Sequence, residues 1–372
     1  MLGGYFYPGP TKSDVLLQTP VPIRFAVIGD FGDAGQSELD VANLVKSWNP
    51  EFIITVGDNN YETGSAATID QNIGQYYHDY IHPYSGSYGA GASTNRFFPA
   101  LGNHDWETPN AQPHLDYFTL PGNERYYDFV QGPVHFFVVD SDSREPDGIT
   151  STSTQANWLQ SQLATSTSAW NIVYLHHAPF SSGLHGSNTT LQWPFADWGA
   201  DAVLAGHDHS YERIFRNGIV YFVNGLGGNS KYPFLAPISG SQVRYSTDYG
   251  AMLVDASETE ITFQFINLAG VVIDSYTIPD LVNPPAAFNK SAPTNGTTNQ
   301  STSPTLSWAA STGATSYEYC YDTSNDNACS TWASNGTATS KALSGLNAAT
   351  TYYWHVRAVN TVGTTYADGS GT

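Results

Sequence analysis

The sequence predicts an α/β domain built around a mostly parallel sheet, followed by a small all-β module. Three observations carry this. Up to about residue 209 short apolar runs alternate with a helix-period segment or a polar loop, the texture of parallel α/β units. The runs GIVYFVNG, GAMLVD, ITFQFIN and VVIDSYTI then succeed one another without helices, as an antiparallel continuation or a second packed sheet would. Around residues 281–303 the chain becomes rich in Pro, Asn, Ser and Thr, and beyond it strands and turns alternate on a smaller scale. The expected divisions are an extended N-terminal segment (1–21), a large domain (22–280), a linker (281–303) and a module (304–372).

Each element has its own signal. IRFAVIGD reads as a buried strand ending at Asp30. Val41, Leu44, Val45 and Trp48 then recur at helical spacing. EFIITVGD and RFFPALGNHD are a second and third strand, and PVHFFVVDSD a fourth. Thr152 and Gln155 stand at capping-box spacing before a helical run. WNIVYLHH and ADAVLAGHDH are two further buried strands.

Composition narrows the function. The net charge is −20, from 33 acidic and 13 basic side chains, which argues against nucleic-acid binding through phosphate contacts. Residues 284–372 hold three basic and four acidic side chains, so nearly all the negative charge belongs to the large domain. No apolar run is long enough to span a membrane. The opening MLGGYFYPGP lacks the basic and apolar regions of a signal peptide. Cys320 and Cys329 could close a disulfide in an oxidising compartment or remain two thiols. No thiolate is available for a metal in the large domain.

Polar residues gather where the predicted strands end: Asp30 in GDFGD, Asp58 and Tyr61 in GDNNYETG, Asn103 and His104 in GNHD, His176 and His177 in VYLHH, His207 and His209 in GHDH. Alone, each has an ordinary explanation as a turn, a helix cap or a core histidine. Together, five such clusters at the carboxyl ends of α/β strands would empty into one crevice. Carboxylate, imidazole, amide and phenol oxygens suit Fe, Mn, Zn or Mg rather than soft copper. The ligand count fits two ions, and Asp58 can bridge them.

The set resembles the calcineurin-type metallophosphoesterases, and more narrowly the purple acid phosphatases, with their DxG, GDxxY, GNH(D/E), HxP and GHxH motifs. They stand here as Asp30-Phe31-Gly32, Gly57-Asp58-Asn59-Asn60-Tyr61, Gly102-Asn103-His104-Asp105, His177-Ala178-Pro179 and Gly206-His207-Asp208-His209, in order. The resemblance implies a four-layer αββα sandwich. It implies that Asp30, Asp58, Tyr61 and His209 hold a ferric ion, and that Asp58, Asn103, His177 and His207 hold Fe(II), Zn(II) or Mn(II). His104 and His185 would assist the leaving group from the outer sphere while an activated water attacks phosphorus. A VxxH count favours His176 over His177 as the ligand. The HxP spacing favours His177, because the proline fixes the turn, and leaves His176 as a supporting hydrogen-bonding residue. The two cations against two carboxylates and a phenolate leave a local charge of about +2, enough to hold phosphate on an acidic protein. Many relatives in the wider superfamily begin with DxH. Here Gly32 stands in that place, and the resemblance implies that Tyr61 would supply the replacement ligand.

The implied activity is hydrolysis of small phosphate monoesters by a secreted or periplasmic enzyme. Phosphodiesters or phytate are alternative substrates on the same site. A non-catalytic surface-binding protein is the alternative of another class. The C-terminal segment resembles a fibronectin type III module, through Trp308 and a corner formed by Leu346, Thr350 and Tyr352. That resemblance implies spacing, or contact with a cell surface or polysaccharide.

Overall fold

The computed structural model describes residues 22–279, 284–324, 331–360 and 362–369. The expected extended segment 1–21 and Cys329 lie outside the described residues. The chain divides into two units, Met1–Thr277 and Ile278–Thr372.

Among the described residues the sandwich is built from thirteen strands: β1 (Ile23–Ile28), β2 (Phe52–Thr55), β3 (Phe97–Pro99), β4 (Tyr127–Gln131), β5 (Val134–Val138), β6 (Trp170–His177), β7 (Ala202–Gly206), β8 (Tyr211–Arg216), β9 (Ile219–Asn224), β10 (Ser241–Tyr245), β11 (Gly250–Ala256), β12 (Glu260–Asn267) and β13 (Val272–Pro279). They form two mixed sheets, ordered β13-β12-β11-β1-β2-β3 and β10-β8-β9-β7-β6-β5-β4. In the first, β1, β2 and β3 run parallel and β11 pairs antiparallel with β1. In the second, β5, β6, β7 and β9 run parallel, and β4, β8 and β10 add antiparallel edges. Of the two arrangements the helix-free runs allowed, the strands of that region divide between both sheets, β11, β12 and β13 in the first and β9 in the second. Strands β4 and β8 carried no clear sequence signal, because their inward and outward residues do not alternate cleanly.

The sheets face each other through aromatic rings. Phe136 of β5 meets Phe25 of β1 at 5.1 Å and Phe52 of β2 at 5.5 Å, and Tyr211 of β8 stacks on Phe265 of β12 at 4.3 Å. Helix Gln36–Ser47 lies against β11 and buries Glu38, Val41, Ala42 and Val45, a stripe turned slightly from the expected one. Helix Thr154–Thr165 buries Ala156, Leu159 and Leu163 against Phe137, Val173, Leu175 and Val203. Helix, sheet, sheet and helix make the four-layer αββα sandwich. The capping box is absent. Ser153, not Thr152, caps the second helix, accepting from Ala156 N at 3.2 Å. The buried Gln155 side chain instead clamps Asp140 N and O at 2.7 and 2.9 Å, fixing the loop after β5.

Among its described residues the second unit is built on a three-stranded and a four-stranded β-sheet. Leu306, Trp308, Tyr317, Tyr319 and Val356 belong to its core. Strand Lys290–Ala292, inside the expected linker, pairs with strand Thr305–Trp308, and Phe288 is buried in this core. Tyr352 hydroxyl accepts from Asn347 N at 3.1 Å, closing the corner the sequence suggested. Cys320 is disulfide-bonded. No helix among the described residues is long and apolar enough to cross a membrane.

Candidate metal centre

The five motifs leave the carboxyl ends of β1, β2, β3, β6 and β7, and the sandwich brings them together. Asp30, Asp58 and His207 turn the chain at positive φ (55°, 53° and 70°), a conformation that costs a non-glycine residue energy and clusters at functional sites. Side chains on these turns are held by the opposite strand ends. His207 N donates to Asp30 Oδ2 at 3.0 Å, and His104 N to Asp58 Oδ1 at 2.9 Å. Glycines leave the room. A Cβ on Gly102 would lie 2.2 Å from Asp58 Oδ1, and one on Gly57 2.6 Å from His176 Nδ1.

Two donor sets meet at one carboxylate. Tyr61 hydroxyl lies 3.0 Å from Asp58 Oδ2, 3.1 Å from His209 Nε2 and 3.4 Å from Asp30 Oδ1. His176 Nε2 lies 3.0 Å from Asn103 Oδ1, 3.2 Å from His207 Nδ1 and 3.3 Å from the same Asp58 Oδ2. Asp58, His176 and His207 form a compact group able to hold a metal ion.

The structure brings His176 into this group and leaves His177 beside it. His176 continues the face of Tyr174, which reaches the first sheet through a hydrogen bond to Phe98 O. The register of β6 on β7 shifts between Tyr174 and His177, an extra residue that re-aims the strand end. His177 turns to Ser141, with its Nδ1 3.0 Å from Ser141 Oγ. With the bulge in place, His176 groups with Asp58 and His207, and His177 does not belong to that group.

The donor set fits cations. His176 Nδ1–H donates to Val56 O at 2.9 Å, and His209 Nδ1–H to Ser230 O at 2.9 Å. Each Nε2 therefore turns a lone pair inward, the arrangement that supporting hydrogen bonds impose on ligating histidines. Lone pairs of Asn103, His176 and Asp58 at these separations repel unless a positive charge sits among them. Without a metal that charge is a proton. Burial disfavours it on His176, but Asp58 outweighs burial and raises the imidazole to about 10. His207 goes the other way, held well below its usual value by burial and then by His176. Burial, Asp58 and Asp30 push the Tyr61 phenol well above its ordinary value, so a phenolate there requires a strongly charged ion.

The outer residues also converge. His104 packs over Tyr61 with ring centroids 4.4 Å apart, and its Nδ1–H donates to Glu62 O at 2.6 Å. His185 stacks on His207 at 4.2 Å. Three residues escaped the sequence reading. Asp208, buried between the two GHDH histidines, accepts from His185 N at 2.7 Å and Ser181 Oγ at 2.5 Å, and so fixes the His185 loop. Its place between two ligands, facing the opposite way, was the available signal. Tyr232 stacks on His209 at 4.1 Å with the rings 6° apart, and nothing in its local sequence marks it. Asp105 accepts from Gly102 N and Asn59 Nδ2 at 2.8 Å each, tying two motif loops together.

Comparison with known proteins agrees with this geometry. The calcineurin-like phosphoesterase family profile matches residues 23–211. Human tartrate-resistant acid phosphatase type 5 is 22% identical over 307 residues, covering 70% of this chain and 92% of that protein. Purple acid phosphatase 7 of Arabidopsis thaliana is 25% identical over 296 residues, covering 70% and 88%. Among solved structures, a purple acid phosphatase from yellow lupin (Lupinus luteus) seeds superposes with a TM-score of 0.58 at 21% identity, over 70% of this chain and 54% of that one. The anchor in the inner membrane complex of Plasmodium gives 0.55 at 21%, over 70% and 89%, so the fold alone serves more than one role. The motifs, the sandwich that gathers them and the matched profile place the chain in the calcineurin-like phosphoesterases.

Proposed function

We propose that the chain hydrolyses phosphate monoesters at a two-metal centre. Asp30, Asp58, Tyr61 and His209 would hold a ferric ion. Asp58, Asn103, His176 and His207 would hold Fe(II), Zn(II) or Mn(II). The observation that carries this reading is Asp58 Oδ2, which faces both donor sets while Oδ1 is held by His104 N. When bound, the ions supply positive charge for phosphate and lower the pKa of water.

The chain's own residues do the rest. His104 keeps Nδ1–H on Glu62 O, so Nε2 is the atom that takes up and gives back a proton. In its protonated form it donates to the departing oxygen. His185 backs the second ion's side of the cleft, held by Asp208 and stacked on His207. Glu62 and His104 belong to the loop pair that Asp105 locks, so the donor is held in place rather than recruited. The disulfide-bonded Cys320 supports an oxidising compartment. The second unit reads as a fibronectin type III-like spacer or surface contact.

Turnover of p-nitrophenyl phosphate, its bis ester and phytate, with metal analysis and a visible spectrum on one sample, tests the reading. The monoester should be preferred and the protein should hold one iron and one further metal. Tyr61→Phe should remove the visible band of a phenolate–iron pair. A colourless protein with two divalent ions would overturn the ferric assignment alone. Absence of both metal and turnover would leave a binding protein.

A further inference from the structure

His177 is left over once His176 is assigned to the metal side, and its surroundings give it a definite tautomer. Ser141, in the loop after β5, accepts from His176 N at 3.2 Å and His177 N at 2.9 Å. Those two bonds use both lone pairs of its hydroxyl oxygen. The remaining hydroxyl hydrogen has His177 Nδ1 to go to, 3.0 Å away. Nδ1 is then an acceptor, and the ring proton sits on Nε2. This reverses the pattern of His104, His176 and His209, whose Nδ1–H groups are all given to backbone carbonyls. The His177 ring packs 4.4 Å from His207 and remains partly exposed at the rim of the cluster. Its Nε2 makes no hydrogen bond among the described residues.

We propose that His177 is a fixed Nε2–H donor that positions an oxygen of the substrate's phosphoryl group, with Ser141 as the residue that sets its tautomer. A donor locked in this way serves a tetrahedral oxyanion without needing a charge of its own. It divides the work with His104, whose Nε2 can gain and lose a proton. The inference rests on the phosphoesterase reading and deepens it by adding a binding group for the anion.

The test compares wild type, His177→Leu, His177→Gln and Ser141→Ala in the zinc-loaded protein. Metal content, direct binding of inorganic phosphate by calorimetry, and KM and kcat for p-nitrophenyl phosphate are measured on each. His177→Leu should keep its metal and weaken phosphate binding about tenfold, the scale of one hydrogen bond to a charged group. KM should rise with it more than kcat falls. His177→Gln, whose amide N–H groups reach a similar place, should restore most of the affinity, and Ser141→Ala should fall between. Long-range proton–nitrogen spectra, with His177→Gln for assignment, should show His177 protonated at Nε2 in wild type and mixed in Ser141→Ala. A protonated Nδ1, or full metal with unchanged phosphate affinity in His177→Leu, would overturn the inference. If the wild type binds phosphate but turns nothing over, the hydrolase reading fails while the phosphate series still decides the role of His177.

Discussion

His176 and His177 are neighbours of one chemical type, and one faces the metal side while the other faces a serine. Losing the inward Nε2 of His176 would remove a proposed ligand, whereas losing His177 would remove a ring at the rim. His176→Ala should therefore lose at least about 100-fold in affinity for the second metal, beyond the span usual for supporting residues. His177→Ala should retain both ions. Titration with zinc and a chelator reads both, and equal losses would show that the two rings share the ligand position. The sequence already held the deciding clue. Tyr174 and His176 share a strand face, and alternation from the buried aromatic pointed at His176. The VxxH count pointed at His176 and the HxP spacing at His177, and spacing could not decide between them because a one-residue bulge does not show in it. Asn59 and Asn60 show the same limit. Both are fully buried although nothing in the motif marks them as core residues. Asn59 donates to Ala100 O and Asp105, and Asn60 accepts from Asn72 and Thr68. Contacts between distant loops leave no periodic trace.

At the level of elements, the strands deliver the ligands and the loops hold them to one another. The five clusters were legible because an apolar run that stops at a polar group marks a strand end, and parallel topology sends such ends to one edge. The braces were not legible, since each depends on which loops the two sheets bring side by side. Asp105 is the clearest brace. Its Oδ2 accepts from Asn59 N, Asn59 Nδ2 and Gly102 N, joining the loop of Asp58 to the loop of Asn103. Asp105→Ala leaves buried donors unpaired and should cost about 1–3 kcal/mol of stability. It should also weaken retention of the metal that Asp58 and Asn103 are proposed to share. Urea unfolding and metal analysis check the two effects separately, and intact metal retention would show that the loops hold each other without it.

For the whole molecule, acidity and burial act together. Glu38 is fully buried in the first helical turn, and neither of its carboxyl oxygens has a hydrogen-bond partner. Burial, and then Asp33, raises its pKa well above 4.5. A raised carboxyl contributes full stability below its unfolded pKa and loses it as pH climbs toward the folded value, by about 1.4 kcal/mol per pH unit. Glu38→Gln should accordingly gain on wild type in thermal midpoint between pH 5 and pH 8. A gap that does not change with pH would mean the carboxyl keeps a compensating partner. The proposed metal centre would work in the opposite sense, because Asp30 and Asp58 are buried carboxylates that bound cations would offset. Chelation should lower the thermal midpoint, and re-addition of metal should restore it in a concentration-dependent way. An unchanged midpoint would separate the ions from the stability of the sandwich.

Gly32 limits which variants are reachable from this chain. A Cβ there would stand 1.8 Å from Asn59 O, and Tyr61 N already donates to Gly32 O at 2.7 Å. The loop that carries the tyrosine therefore occupies the space a histidine at position 32 would need. Neither ligand pattern can be converted into the other by one exchange. Gly32→His should fail to fold or expel the Asp58 loop, whether or not Tyr61→Phe accompanies it. The two patterns are separate solutions, divided by a backbone path rather than by a choice of side chain. A chain crossing between them has to redraw the loop first.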